Sequence, residues 1–197
     1  MTYFGGVERI GLFGGSFDPI HMGHLLLGQA PIEELGLTRL CFILAAQSPF
    51  KVGQNFAPAE ARLQMLRLAL AGRTNCEVDD QEINRGGVSF AIDTVRDYAR
   101  RFPQAELFYL IGADHVAKLP KWREAAELAK LLEFVVIPRP GAESVTAPAP
   151  FRARMLTGFA LGVSASQIRA RVKSGQTVEH LVPAAVAEAV RNNRLYL

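Results

Sequence analysis

Cysteine and long apolar runs are scarce in this sequence. Of 197 residues only Cys41 and Cys76 are cysteines, and each lies inside a strand-like run, which favours buried, reduced thiols over a disulfide framework. The apolar runs, such as residues 25–27 and 134–137, are far too short to cross a bilayer. The first nine residues lack a basic stretch followed by an apolar core, so no secretion signal is expected. These absences predict a cytoplasmic protein that does not bind a membrane.

The sequence also lacks a large excess of charge of either sign. The net charge is +3 and no long Lys/Arg run occurs, so the charge alone fits general surface basicity and phosphate binding equally well. No nucleic-acid-binding motif accompanies the basic residues, and we therefore predict no nucleic-acid partner. With 49% hydrophobic residues, the chain can build one real core, which predicts a single domain over residues 1–197.

What is present is a regular alternation of short apolar runs and amphipathic segments. Strands are predicted at 9–13, 40–44, 77–78 with its flanks, 107–111, 133–137 and 155–159. Helices are predicted at 22–35, 58–71, 91–101, 121–132, 166–173 and 183–192, and residues 141–150 are predicted to form a surface loop. The alternation predicts an α/β fold with one doubly wound parallel sheet and helices on both faces, and ligands on such sheets bind at the carboxyl ends of the strands.

The first candidate site is a loop that follows the first predicted strand. It reads Gly14-Gly15-Ser16-Phe17-Asp18-Pro19-Ile20-His21-Met22-Gly23-His24. The two leading glycines allow close approach of a ligand and positive φ, and the N-terminus of the following helix attracts anions. His21 and His24 are three residues apart and share one face, which suits polyphosphate oxygens. A zinc site, or use of the histidines as helix cap and core filler, remains an alternative.

A second candidate lies before the predicted helix at 166–173. Ser164 or Ser166 can cap this helix, and Arg169 within its first turn can fork onto phosphate oxygens. The plain alternative is a capped helix with a surface arginine.

The third candidate follows the strand at 107–111. Gly112 lets a nucleoside lie against the backbone, and Asp114 can accept hydrogen bonds from ribose hydroxyls. Trp122, the only tryptophan, is either a core residue or a stacking platform for a flat ring.

These segments resemble a known superfamily. The first loop resembles the G-G-[ST]-F-D-P-x-H-x-G-H motif of the HxGH nucleotidyltransferases, and residues 163–169 resemble their I-S-S-T-x-I-R motif, with Ala165 and Ser166 in place of the second Ser and the Thr. Residues 112–122 are similar to the G-x-D-x-x-x-x-L-x-x-W motif of the bacterial nicotinate-nucleotide adenylyltransferases. Residues 136–141 resemble the strand and R-P-G turn of that family, and residues 193–196 its N-x-L-Y ending. The resemblance spans nearly the whole chain.

Two further segments depart from the family pattern. A P-P-H-[KR] loop appears as Ser48-Pro49-Phe50-Lys51, which keeps the lysine and replaces the histidine. An S-Y-T segment appears as Ser89-Phe90-Ala91, which lacks the threonine hydroxyl. Both departures fall on the acceptor side of the site.

The resemblance implies a Rossmann-like fold and transfer of an adenylyl group from ATP to nicotinate mononucleotide, with nicotinamide mononucleotide as the alternative acceptor. It implies catalytic roles for His21, His24 and Arg169, and acceptor binding by Lys51, Ser89, Phe90, Ala91, Trp122 and Arg123. The implied ATP-binding residues are Gly14, Gly15, Ser16, Phe17, His21, His24, Gly112, Asp114, Arg139, Ser164, Ser166 and Arg169. Mg²⁺ is expected on the phosphates and not on a protein metal site. A nucleotide sensor without turnover remains an alternative, and association into a homo-oligomer is left open.

Overall fold

Six parallel strands form one sheet in the order β3-β2-β1-β4-β5-β6 in the computed structural model, which describes residues 7–50, 53, 55–138, 146–158 and 161–197. The strands are β1 (Arg9–Gly15), β2 (Arg39–Leu44), β3 (Cys76–Asp79), β4 (Glu106–Gly112), β5 (Glu133–Ile137) and β6 (Ala153–Met155). Every pair of neighbours runs parallel. This is the strand order of a doubly wound, Rossmann-like sheet, as predicted.

Eight α-helices occur in the described residues, together with a short 3₁₀ turn at Leu119–Lys121. They are α1 (Met22–Leu35), α2 (Ala59–Leu70), α3 (Gln81–Arg85), α4 (Ala91–Arg101), α5 (Ala113–Val116), α6 (Ala125–Leu131), α7 (Ala165–Lys173) and α8 (Ala184–Asn192). No helix in these described ranges is long and apolar enough to cross a membrane.

The sheet divides the apolar side chains between two cores because successive strand residues point to opposite faces. In β2, for example, Leu40 and Phe42 belong to one core and Cys41 and Ile43 to the other. Buried residues of α1, α2, α7 and α8 complete the first core, while those of α4, α5 and α6 complete the second. The near-continuous apolar strands are thus explained by burial on both faces, and both cysteines are free thiols.

The site is positioned by the change of direction between β1 and β4. From β1 the sheet extends through β2 to β3 on one side, and from β4 through β5 to β6 on the other. The carboxyl ends of these two central strands, at Gly15 and Gly112, therefore border the crevice in which doubly wound sheets bind ligands.

Two predicted elements differ in the structure. The strand predicted at 155–159 is Ala153–Met155, because the backbone N–H groups of Thr157 and Gly158 donate to the Glu34 carboxylate at 2.9 and 2.8 Å instead of to a neighbouring strand. The helix predicted at 121–132 begins only at Ala125, since Glu124 adopts a left-handed φ of 52°. Of the loop predicted at 141–150, residues 141–145 lie outside the described residues.

Candidate active site

The glycines of the first loop make room for aromatic side chains. A Cβ at Gly14 would lie 2.8 Å from Tyr109 Oη, and a Cβ at Gly15 would lie 2.8 Å from the Phe17 ring. Both residues belong to β1, so the predicted positive φ at these glycines is wrong. The positive φ falls instead on Phe17, at 42°, whose ring is only 2% exposed. The tight turn is therefore held by burial of an aromatic ring and not by glycine flexibility.

His21 and His24 form a stacked pair at the N-terminus of α1. Their ring centroids are 3.7 Å apart, and the His21 backbone N–H donates to His24 Nδ1 at 3.3 Å. His21 is 5% exposed, and burial lowers its pKa to about 4, so its imidazole is neutral at pH 7. A Cβ at Gly23 would lie 2.9 Å from His21 Nδ1, which explains the glycine between the two histidines. The prediction that both rings face one place is confirmed.

Metal binding by this pair was the open alternative. Among the residues that the structure describes, no group of three or more His, Cys, Asp or Glu side chains could hold a metal ion. Mg²⁺ bound through phosphate oxygens and water stays a prediction.

The N-terminus of α7 is the second part of the site. Ser164 is the cap, because its hydroxyl accepts from the Gln167 backbone N–H at 3.3 Å and Gln167 Oε1 accepts from the Ser164 N–H at 3.0 Å. Ser166 has a different task, since its Oγ accepts from Arg169 Nη2 at 3.3 Å. Arg169 Nη1 also donates to the Asp18 carbonyl oxygen at 2.8 Å. The two predicted constellations thus meet in space, although 151 residues separate them in the chain.

A buried arginine that sequence reasoning missed braces the same loop. Arg62 is 3% exposed, and its Nη1 donates to the carbonyl oxygens of Ser16 and Ala45, each at 3.0 Å. The sequence does carry a signal for it, because Arg62 shares a helical face with the buried Met65 and Leu66 of α2. An arginine on an apolar face is rarely buried unless its donors are satisfied, as they are here.

A cavity of about 320 Å³ opens beside the first loop, at the carboxyl ends of the central strands. Nine of the predicted site residues line it: Gly14, Gly15, Ser16, Ser89, Phe90, Ala91, Gly112, Trp122 and Arg123. The volume suits a small ligand with a flat ring, and most of the lining is apolar or backbone. Five of the six predicted acceptor residues therefore come together, although they arise from separate segments.

Trp122 serves the core and the cavity at once. Its ring meets those of Tyr109 and Phe134 edge-on at centroid distances of 6.0 and 5.9 Å, and it also lines the cavity. Phe50, the residue that replaces the family's histidine, lies 6.0 Å from Trp122 and is 54% exposed. Arg123 extends over the Phe90 ring, with Cζ 4.7 Å from the centroid, and so places a positive charge on the cavity wall.

A buried carboxylate in the cavity wall was also missed. Glu82 is 4% exposed, lines the cavity and accepts from Thr94 Oγ1 at 2.6 Å; burial raises its pKa. The neighbouring Ser89 Oγ accepts from the Ala46 N–H at 3.0 Å, which ties the loop after β2 to the start of α4. Glu82 lies in α3, whose five residues are too few to show a helical period in the sequence.

Some predicted residues stand apart from the cavity. Six of them belong to the first loop or to the N-terminal part of α7 and do not line the cavity: Phe17, His21, His24, Ser164, Ser166 and Arg169. Asp114 lies in α5 with its side chain 44% exposed, 3.6 Å from Nε2 of the cavity residue His115. Lys51 and Arg139 lie outside the described residues.

Known proteins match this chain along most of its length. The cytidylyltransferase-like family model matches residues 12–171. A Thermus thermophilus protein described as "Probable nicotinate-nucleotide adenylyltransferase" is 42% identical over 188 residues, covering 95% of this chain and 99% of its own length. One from Opitutus terrae with the same description is 37% identical and covers 95% and 97% of the two chains.

A solved structure has the same fold at low identity. The Plasmodium falciparum nicotinic acid mononucleotide adenylyltransferase complexed with NaAD superposes with a TM-score of 0.75 at 15% identity, covering 96% of this chain and 97% of that one. The fold and the sequence relatives point to the same family. The chain therefore belongs to the cytidylyltransferase-like nucleotidyltransferases and, within them, to the family of the nicotinate-nucleotide adenylyltransferases.

Proposed function

We propose that the protein transfers the adenylyl group of ATP to nicotinate mononucleotide, forming nicotinate adenine dinucleotide and pyrophosphate in NAD biosynthesis. The observation that carries the proposal is the contact between Arg169 and the first loop, which brings two helix N-termini together beside the cavity. A triphosphate fits the helix ends, because backbone N–H groups and helix dipoles favour anions there. The acceptor then occupies the adjoining cavity.

His21, His24 and Arg169 form the catalytic end of the site in this proposal. The His24 ring is fixed by stacking on His21 and by the Phe17 ring edge at a centroid distance of 5.1 Å. Fixed donors stabilise developing charge without reorganising during the reaction. The Gly14–Ser16 backbone and the α7 N-terminus with Ser164 and Ser166 bind further phosphate oxygens, and Gly112 and Asp114 bind the nucleoside. Arg139 is assigned to ATP from the sequence alone.

The acceptor binds in the cavity in this proposal. Trp122 and Phe50 provide aromatic surfaces for the pyridine ring, and Arg123 provides a positive charge for its carboxylate. Ser89, Phe90 and Ala91 lead into α4, and the positive end of its helix dipole favours the same carboxylate. Lys51 is assigned to the acceptor from the sequence alone.

The reaction is a direct displacement. An oxygen of the mononucleotide 5′-phosphate attacks the α-phosphorus of ATP, and the bond from that phosphorus to the bridging oxygen breaks as pyrophosphate leaves. No adenylylated protein forms, so the residues only align the two groups and neutralise charge. The proposal assigns the whole reaction to one domain over residues 1–197, in the cytoplasm.

Nicotinamide mononucleotide is the second candidate acceptor. Ala91 lacks the hydroxyl expected near the pyridine substituent, and Glu82 places a carboxyl group in the same cavity. The test is pyrophosphate release from ATP with each mononucleotide in turn. We expect a specificity constant at least about tenfold higher for the nicotinate form, from one additional charged hydrogen bond. Equal constants would reject the nicotinate preference. No release with either would reject the enzyme and leave a nucleotide sensor.

A further inference from the structure

The C-terminal N-x-L-Y segment, residues 193–196, has no part in the proposed reaction. It nevertheless reaches the phosphate end of the proposed site, which consists of the first loop and the N-terminus of α7. After α8, the Leu195 N–H donates to the Val190 carbonyl at 3.0 Å, and Asn193 Nδ2 donates to the Ala189 carbonyl at 2.9 Å. Arg194 and Tyr196 adopt left-handed φ values of 49° and 66°. These contacts fold the last residues back along the protein, where Tyr196 packs on the core that α1 covers.

The side chain of Tyr196 contacts the first loop. Its hydroxyl donates to Asp18 Oδ1 at 2.7 Å, across 178 residues of sequence. Asp18 is 2% exposed, and Oδ1 also accepts from the Ala57 backbone N–H at 3.1 Å. A buried carboxylate needs such donors, and a hydroxyl on a carboxylate is among the stronger hydrogen bonds. The tail therefore sets the orientation of this carboxylate.

The same aspartate holds the arginine of α7. Arg169 Nη1 donates to the Asp18 carbonyl oxygen at 2.8 Å and lies 3.7 Å from Asp18 Oδ2. The carbonyl oxygen and Oδ2 of Asp18 thus face the Arg169 guanidinium, while Oδ1 faces the Tyr196 hydroxyl. If the hydroxyl of Tyr196 is removed, Oδ1 keeps only the Ala57 N–H, and the carboxylate can shift toward Arg169 on its other side.

We propose that Tyr196 is a positioning residue, which sets the place of Arg169 at the phosphate end through the side chain of Asp18. The inference rests on the proposed function, in which Arg169 neutralises charge on the triphosphate. Displacement of a fixed charge by a fraction of an ångström weakens its action on the transition state more than it weakens the fold. Burial and the Asp18 charge both raise the pKa of Tyr196, so the hydroxyl keeps the proton that it donates.

Another Tyr–Asp pair in this chain provides the matched control. Tyr98 Oη donates to Asp79 Oδ2 at 2.6 Å in the core on the opposite face of the sheet. We expect Tyr196→Phe and Tyr98→Phe to lower the Tm by similar amounts. Only Tyr196→Phe should also lower kcat, about fivefold, with the KM of the mononucleotide within about twofold of its original value. An equal loss of kcat in both variants, or none in Tyr196→Phe, would overturn the proposal.

A double-variant comparison tests the route through Arg169. If Tyr196 acts on this arginine, Tyr196→Phe should change kcat by less than about twofold in an Arg169→Ala background. The same fivefold loss in both backgrounds would contradict it.

The dissociation constant of ATP, measured by calorimetry, separates this inference from the proposed function. If the unaltered protein releases no pyrophosphate, the proposed function is wrong. The positioning of Arg169 is then judged from ATP binding, which Tyr196→Phe should weaken about threefold and Tyr98→Phe should not. Unchanged ATP binding in Tyr196→Phe would then reject the inference.

Discussion

The phosphate end of the proposed site and its ring end, the cavity that Trp122 and Phe50 line, are built in different ways. At the phosphate end, polar side chains are locked by one another and by carbonyl oxygens: His24 by His21, Arg62 by Ser16, and Arg169 by Asp18. At the ring end the cavity is walled by aromatic edges and short backbone segments, with Phe50 more than half exposed. Hydrogen-bonded groups resist small displacements, whereas an apolar wall tolerates exchange of one ring for another.

This contrast has a consequence for specificity. In the proposed function, the phosphate end can change little without loss of the reaction, since His24, Arg62 and Arg169 are each held there by a hydrogen bond. The ring end can vary and still bind a flat ring. This chain departs from the family pattern there at Phe50 and Ala91, whereas at the phosphate end Ser166 keeps the hydroxyl of the threonine that it replaces. We therefore expect substitutions at the phosphate end to act on turnover, and substitutions at the ring end to act on acceptor affinity and choice.

The largest effect is expected for His24→Ala. Loss of this fixed ring removes a donor that acts on the transition state, so kcat should fall at least about 100-fold, with little change in ATP affinity. Steady-state pyrophosphate release and ATP calorimetry measure the two quantities. The exposed His180 is the matched control, and His180→Ala should leave kcat unchanged. Normal turnover in His24→Ala would remove the catalytic role assigned to the stacked pair.

An intermediate effect is expected for Trp122→Ala. Removing an aromatic surface from the cavity should raise the KM of the mononucleotide about tenfold, and should leave the KM of ATP within about twofold. Trp122→Phe keeps a ring in place and should stay within about threefold of the original acceptor KM. If kcat falls in both variants while the acceptor KM stays constant, the assignment of acceptor binding to the ring end and of turnover to the phosphate end is wrong.

The smallest effect is expected for Ala91→Thr. A hydroxyl at the start of α4 would add one hydrogen bond to the pyridine carboxylate, which should raise the preference for nicotinate over nicotinamide mononucleotide about fivefold. Ala91→Val supplies the same shape without the hydroxyl and is expected to leave this preference unchanged. An equal shift in the threonine and valine variants would attribute the preference to cavity shape. Specificity constants for both mononucleotides provide the measurement.

Most of the sheet could be predicted from the sequence because its strands are apolar on both faces and are bounded by glycine, proline or charge. β6 ends at Met155, four residues before the predicted end, since the Glu34 carboxylate takes the N–H groups of Thr157 and Gly158. Nothing in the sequence around residues 153–159 indicates that a distant carboxylate, and not a neighbouring strand, accepts these hydrogen bonds. The break before α6 lies at Glu124, whose carboxylate, like that of Glu127, pairs with the distant Arg96 of α4.

The sequence by itself determined the pairing of the two histidines in the first loop, because Gly14 to His24 are contiguous and one strand–turn–helix suffices to aim both rings together. It also determined the cap before α7, although only the structure chose Ser164 over Ser166. The tertiary structure alone decided how that loop is braced. Arg62, Arg169 and Tyr196 come from three distant helices or their ends, and each finds its hydrogen-bond acceptor only when the sheet and both cores have assembled. A buried polar group is specified by its partners, and those partners are neighbours in space and not in sequence.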